Sequence, residues 1–400
     1  MATVNQIYAL VNDSVAEALG AEAIDVKDTA SFVTAASKVL SSNDYKDAFL
    51  SALVDRIGRT AIAIRAVKKK RRSIKRDELE WGAVYQKISF KTADASKNTA
   101  WDPEHPGNPF TVTSQGGVVQ ALFTVLSTYH YEDVIPDYQL FTAFTSAERM
   151  GAFISGIYQR MENDFTRSEN ALADTAVATN IAGVLLKGGD PQKRNLLGEF
   201  ITLSGKTYTA IEDAHMDADY LKYATREIRE ITGNLQEDSV IYNVSEDIPR
   251  NTPSDKMVVE VLNKFASAVS SYLESDTYHN EMVSLPGYEE VRYWQAPGTS
   301  FAFEDVSKIN IKNANLKVTG NNTGSCEQGG IIAFVHDIDS CACIMNRVRD
   351  HSIPDQYNER TVIIKNADPG FLVDLTENAV VFYEELPVVP DEPGEVGGGT

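Results

Sequence analysis

One stretch, Asp47 to Arg76, most limits how this chain can fold: an amphipathic segment runs through a brief apolar strand into a dense cationic block. The cations are Arg65, Lys68, Lys69, Lys70, Arg71, Arg72, Lys75 and Arg76. Like charges this close repel, so the block must be neutralised by a partner or spread into solvent. The chain around it is acidic, with 37 Lys and Arg against 57 Asp and Glu and a net charge of -20. Such a surface repels phosphates, and a nucleic-acid reader would have to work through the block alone. Copies of the same chain are the expected source of counter-charge. Ahead of the block, Phe49, Leu50, Leu53, Val54 and Ile57 recur at the spacing of one helical stripe, with Asp55 and Arg56 among them and Gly58 where a left-handed cap would sit. The reading is a short helix that docks by that stripe.

A chain of 400 residues, 43% of them hydrophobic, can bury a substantial core in one large or two or three ordinary domains. No apolar run approaches the roughly 20 residues of a membrane span. Met1 to Leu10 has neither a basic nor an apolar leader region. The expectation is a soluble, unexported product with no membrane partner. Cys326, Cys341 and Cys343, an odd and sparse set, make no disulfide framework and fit a reducing compartment.

Residues 1 to 45 show only a weak helical pattern at Val15, Leu19 and Ile24, and read as an arm that packs on something else. From Trp81 to Thr92 the period becomes two, with Val84, Ile88 and Phe90 on one face and Tyr85, Lys87, Ser89 and Lys91 on the other. A polar turn region, Asp94 to Asn108, separates this strand from a second alternation between Phe110 and Val125, which predicts a long, projecting hairpin. Thr145-Ser-Ala-Glu148 then fits a capping box. Behind it Met150, Ile154, Ile157, Tyr158, Met161 and Phe165 keep helical spacing, as one long helix or two in line, until Lys187-Gly-Gly-Asp-Pro191 stops the pattern. Residues 200 to 330 read as a mixed lobe. One helix spans Tyr220 to Gly233; a second, capped by Thr252-Pro253, carries Val258, Leu262, Phe265, Val269 and Tyr272. Strands are predicted over Ile331–Val335, Cys341–Met345, Thr361–Lys365 and Val380–Tyr383, with turns at Asp337–Ser340 and Asn366–Gly370. Pro387 to Thr400 reads as a flexible tail.

Chemistry is hard to find. Gly205-Lys206-Thr207 suggests a phosphate loop, but the position five before Gly205, where the motif needs glycine, is Phe200. Cys341 and Cys343 share a strand face near His336, Asp337 and Asp339, yet no second Cys or His pair stands at metal-binding spacing. His215 lies among Asp213, Asp217 and Asp219, which suit a helix start better than a hard cation. There is no Gly-x-Ser-x-Gly elbow and no His-Glu-x-x-His helix, and the reading is a protein without catalytic residues, cofactor or metal.

The order of parts, and above all Phe49-Leu-Ser-Ala-Leu-Val-Asp-Arg-Ile-Gly58 with the basic run after it, resembles the major capsid protein of tailed bacteriophages, the Hong Kong 97 type of fold. That local segment is most similar to the phi-29 type head protein of small podoviruses, with weaker likeness at Ala147–Tyr158 and Ile332–Asp339. The resemblance implies an α+β fold: an N-terminal arm (1–46), a first P-domain part (47–67), an extended E-loop (68–118), a P-domain with spine helix (119–199), an A-domain (200–328), returning P-domain strands (329–386) and a tail (387–400). It implies hexamers and pentamers closing an icosahedral shell around double-stranded DNA bound without sequence specificity. Scaffolding and portal proteins are the implied partners, and the virion, assembled in the host bacterial cytoplasm, the location. The basic block, at the base of the E-loop, would contact neighbouring subunits, so reversing Arg71, Arg72, Lys75 and Arg76 to Glu should spare the monomer and block assembly. The immunoglobulin-like C-terminal domain of the phi-29 type has no counterpart in these 400 residues. An encapsulin-like compartment shell and an unrelated soluble nucleic-acid-binding protein are the alternatives.

Overall fold

Apolar spacing and caps account for most of the elements seen in the structure, a computed structural model that describes residues 4–42, 44–49, 52, 70–76, 84–90, 118–124, 129–136, 139, 147–244, 248–273, 287–295, 305–315 and 323–387. The chain divides into two units. The first comprises Met1–Ala83, Thr124–Leu172 and Cys343–Gly370; the second comprises Val84–Phe123, Ala173–Ala342 and Phe371–Thr400.

In unit one the N-terminal residues are folded, where an arm was expected. Helices Val4–Leu19 and Thr29–Val39 share a core of Val11, Val15, Leu19, Val26, Phe32, Ala35, Ala36, Val39 and Phe49. Asp28 and Ser31 form a reciprocal capping box that starts the second helix. Asn12 ties the connection down, accepting from the Val26 N–H at 2.6 Å and donating to the Val26 carbonyl at 3.1 Å. The unit's sheet runs in the order Lys75–Arg76, Cys341–Asp355, Arg360–Val373, Tyr129–Pro136. Lys75 pairs in parallel with Cys343, and Arg360 to Ala367 run antiparallel to Pro136 to Tyr129. The residues Asn366–Gly370, expected as a turn, continue the strand to Val373. Pairing with Tyr129–Pro136 ends at Ala367, so Pro369 lies beyond that ladder.

Helix Ala147–Lys187 is one helix of 41 residues, ending at the predicted Lys187-Gly-Gly stop. Within unit one its Phe165 is buried edge-on to Tyr131 and under the Lys365 ammonium, which also reaches Glu162 at 3.3 Å.

Unit two is built on a sheet ordered Lys193–Asn195, Ala379–Tyr383, Ile331–Asp337, Met257–Leu262, Glu289–Val291. All seven residues of Ile331–Asp337 are buried, and the strand has antiparallel neighbours on both sides, with Ala333 to His336 paired to both. That burial explains a continuous apolar run without alternation. Helices Leu196–Ser204, Ala218–Asn234 and Asn263–Leu273 cover it, with Tyr220, Ile228 and Phe265 in the core. The predicted helix from Pro253 is corrected here: Val258 and Leu262 lie on the strand Met257–Leu262, and the helix starts at Asn263. A short apolar run fits both periods, and the β-branched Val258, Val259 and Val261 settle as a strand once neighbours on both edges bind them.

Candidate functional site

The basic block is partly consumed inside its own unit. The backbone N–H of Lys70 donates to Asn170 Oδ1 at 3.1 Å; Lys75 Nζ donates to the same oxygen at 2.8 Å and pairs with Glu169 at 3.3 Å. Lys75 and Glu169 are only 10% and 13% exposed. Arg71, 2% exposed, adopts a φ of 47° at the turn into Arg72–Ile74, and Ile74 is fully buried. Arg76 is exposed. Arg65, Lys68 and Lys69 lie outside the described residues, as does the Arg72 side chain. One counter-charge expected from another copy, that of Lys75, therefore comes from this chain's long helix. The four-residue reversal cannot spare the monomer, because it would set carboxylates at the buried positions of Arg71 and Lys75.

Of the docking helix, residues 44–49 and Ala52 are helical, and Phe49 and Ala52 are buried. Leu50, Leu53, Val54, Asp55, Arg56, Ile57 and Gly58 lie outside the described residues. Phe49 joins the core of the two N-terminal helices, with Phe153 packed against it.

In unit two the hairpin is present as Val84–Phe90 paired with Val118–Thr124; Trp81 to Ala83 and residues 91–117 are outside the description. At the two described side chains the polar residue is the more buried. Ile88 is 52% exposed, while Lys87 is 17% exposed and pairs with both Asp374 and Glu377, which are 4% and 9% exposed. Asp374 also accepts from the Thr376 N–H at 2.9 Å and hydroxyl at 2.7 Å, and Arg250 lies 3.4 Å from Glu377. Burial pulls the Lys87 ammonium down, but Asp374 and Glu377 outweigh it and its pKa is raised. Burial also lifts Glu377 above the usual carboxylate range, against the pull of Lys87. Sequence reading placed Lys87 on the polar face and stopped there. The one available signal was the acidic turn Asp374-Leu-Thr-Glu377, which needs a cation if buried.

The residues considered for metal or phosphate have structural partners. Cys341 and Cys343 are buried strand residues, and among the described residues no group of three His, Cys, Asp or Glu could hold a metal ion. His336 Nδ1 lies 2.9 Å from Ser340 Oγ, which accepts from Asn180 at 3.0 Å. Asp337 accepts from the Thr252 hydroxyl at 3.0 Å. Gly205 is the left-handed cap of Leu196–Ser204, and Lys206 pairs with Asp217 and Asp219 at 2.6 and 2.9 Å. Asp217 caps Ala218–Asn234, as the helix-start reading expects. His215 Nε2 sits 2.8 Å from the buried Glu384, which accepts from the Tyr220 hydroxyl at 2.6 Å. His215 and Glu384 line a cleft of about 730 Å³ with Ile211, Leu262 and Gly330.

Asp337 supports a pH prediction. Burial, the largest cause, raises its carboxyl above the ordinary value. A raised acid contributes stability that is complete below the unfolded pKa and is lost as pH rises through the folded one. Asp337→Asn should therefore gain on the wild type as pH rises from about 4 upward. Thermal midpoints of both proteins across that range measure it, and a difference independent of pH is the contrary result.

The sequence profile of the family described as Phi29-like phage major capsid protein matches residues 11–383. The chain belongs to this family. Among curated proteins, a major capsid protein of Bacillus phage GA-1 is 26% identical over 157 residues, covering 38% of this chain. That match spans 33% of the relative's own length. Two solved structures share the fold. A capsid structure of Staphylococcus phage Andhra aligns with TM-score 0.53 at 10% identity over 80% of this chain and 86% of that one. A structure of the head fiber and inner core protein gp22 of native bacteriophage P68 aligns with TM-score 0.52 at 9% identity over 81% and 86%. Arg76 and Ile88 are exposed members of the two regions described above.

Proposed function

We propose that this protein is the major capsid protein of a tailed phage, a shell subunit that assembles as hexamers and pentamers around double-stranded DNA. The family match over residues 11–383 carries the reading. Within it, 68–118 acts as the E-loop, Ala147–Lys187 as the spine helix of the Hong Kong 97 type P-domain, and 200–328 as the A-domain. Podoviruses of the phi-29 type are the nearest setting, given the Phe49–Gly58 segment. Scaffolding and portal proteins assist assembly in the host cytoplasm. A shell relies on large repeated interfaces closed by symmetry, not on a reactive cluster. An acidic wall also suits a container for DNA, because it does not hold the phosphates it encloses.

Electron microscopy of protein produced with its scaffold tests this: uniform closed shells are expected. Small oligomers alone would refute it, and shells that enclose a cargo protein without DNA would favour an encapsulin-like compartment. The exposed Arg76, with Lys68 and Lys69, supplies a second test. Reversal of Lys68, Lys69 and Arg76 to Glu is expected to leave the subunit folded and cut shell yield by about tenfold, the effect of losing ~1.4 kcal/mol of contact energy. Sedimentation separates shells from subunits, and an unchanged yield removes these cations from the interface.

A further inference from the structure

We infer that Lys87 is the positioning residue of the hairpin, and that the turn Asp374–Glu377 is its seat. This inference rests on the capsid reading above for its purpose, but not for its geometry. A strand with one apolar and one polar face should turn the apolar face to the protein. Here Lys87 is taken in by two buried carboxylates while its neighbour Ile88 stays 52% exposed. The arrangement costs apolar burial at Ile88 and the dehydration of charges, and the ion pairs offset it. It holds the hairpin strand to the turn that leads into Ala379–Tyr383, next to the central strand of unit two. Lys87 is the cation that touches both acids, whereas Arg250 lies 3.4 Å from Glu377 and donates to the Thr376 carbonyl at 3.3 Å. Release of Lys87 would leave two buried carboxylates short of positive charge. The hairpin strand therefore has one preferred seat.

Hydrogen exchange on the unassembled full-length protein tests this. Lys87→Met is expected to raise exchange in Val84–Phe90 and Val118–Thr124 by about tenfold or more while leaving Ile331–Asp337 protected. Lys87→Arg should restore protection, because guanidinium can bridge the same two acids. The triple variant Lys87→Met, Asp374→Asn, Glu377→Gln removes the stranded charge; it should fold like the wild type yet keep the fast-exchanging hairpin. Hairpin exchange within about twofold of wild type in Lys87→Met, or full protection in the triple variant, overturns the inference. Equal loosening of Ile331–Asp337 would also overturn it, as Lys87 would then support the sheet and not the hairpin. Failure of the wild type to form shells would count against the capsid reading and leave these exchange results intact.

Discussion

Exchange of Lys75 for glutamate is expected to destabilise unit one by about 3–5 kcal/mol, the cost of breaking a buried ion pair, before any question of assembly arises. Lys75 Nζ bonds Asn170 at 2.8 Å and faces Glu169 at 3.3 Å, with both ends largely shielded from water. Reversal would press two carboxylates together where one ammonium stood. The described strand is Lys75–Arg76, paired with Cys343 and Ile344. Lys75→Met, which strands Glu169 without adding a like charge, should cost less. Arg76→Glu, at an exposed position, should stay within about 0.5 kcal/mol of wild type. Urea titrations of the three variants rank them, and a Lys75→Glu protein within about 1 kcal/mol of wild type would show that the pair contributes little. The comparison separates the contribution of the shielded Lys75 to the fold from that of the exposed Arg76.

Gly330→Ala should be nearly as severe in unit two. Gly330 has φ +70°, and a Cβ there would stand 2.1 Å from the Glu384 carbonyl oxygen. Neither partner can retreat: the Glu384 N–H donates to the Gly330 carbonyl at 2.8 Å, and the Glu384 side chain is held by His215 and Tyr220. A loss of about 3 kcal/mol or more is expected, combining left-handed strain with a backbone collision. Gly205, also at φ +70° but with open space around its Cβ position, isolates the strain alone. Its alanine variant should lose about 1–2 kcal/mol. Thermal unfolding of both variants gives the difference, and equal losses would mean that the collision relaxes.

The elements read correctly from sequence share a strong local cause. The long helix carries helical spacing from Met150 onward and a Gly-Gly stop, and Ala218–Asn234 carries an unbroken apolar stripe. The hairpin strands alternate, and Ile331–Asp337 is too apolar to be exposed. The misreadings have a different origin. Val258–Leu262 is short enough for either period, and its neighbours Ile331–Asp337 and Glu289–Val291 decide the matter. Asn366–Gly370 looks like a turn because of Asn, Pro and Gly, yet the strand runs on to Val373 and pairs with Tyr129–Pro136 as far as Ala367. The N-terminal helices were hidden because Phe32, Ala35, Ala36 and Val39 gain their burial from the first helix and Phe49.

Charge shows the same division. Sequence alone determined that a cationic block sits on an acidic chain, that the Gly205-Lys206 turn lacks the glycine a phosphate loop needs, and that two alternating strands follow the block. Only the tertiary structure decided which charges are spent: Lys75 on Glu169, Lys87 on Asp374 and Glu377, Lys206 on Asp217 and Asp219. Periodicity acts over a few residues and is written in the local sequence. An ion pair depends on distance in space and on the water removed around it, and for Lys87 and Asp374 the two partners stand 287 positions apart in the chain.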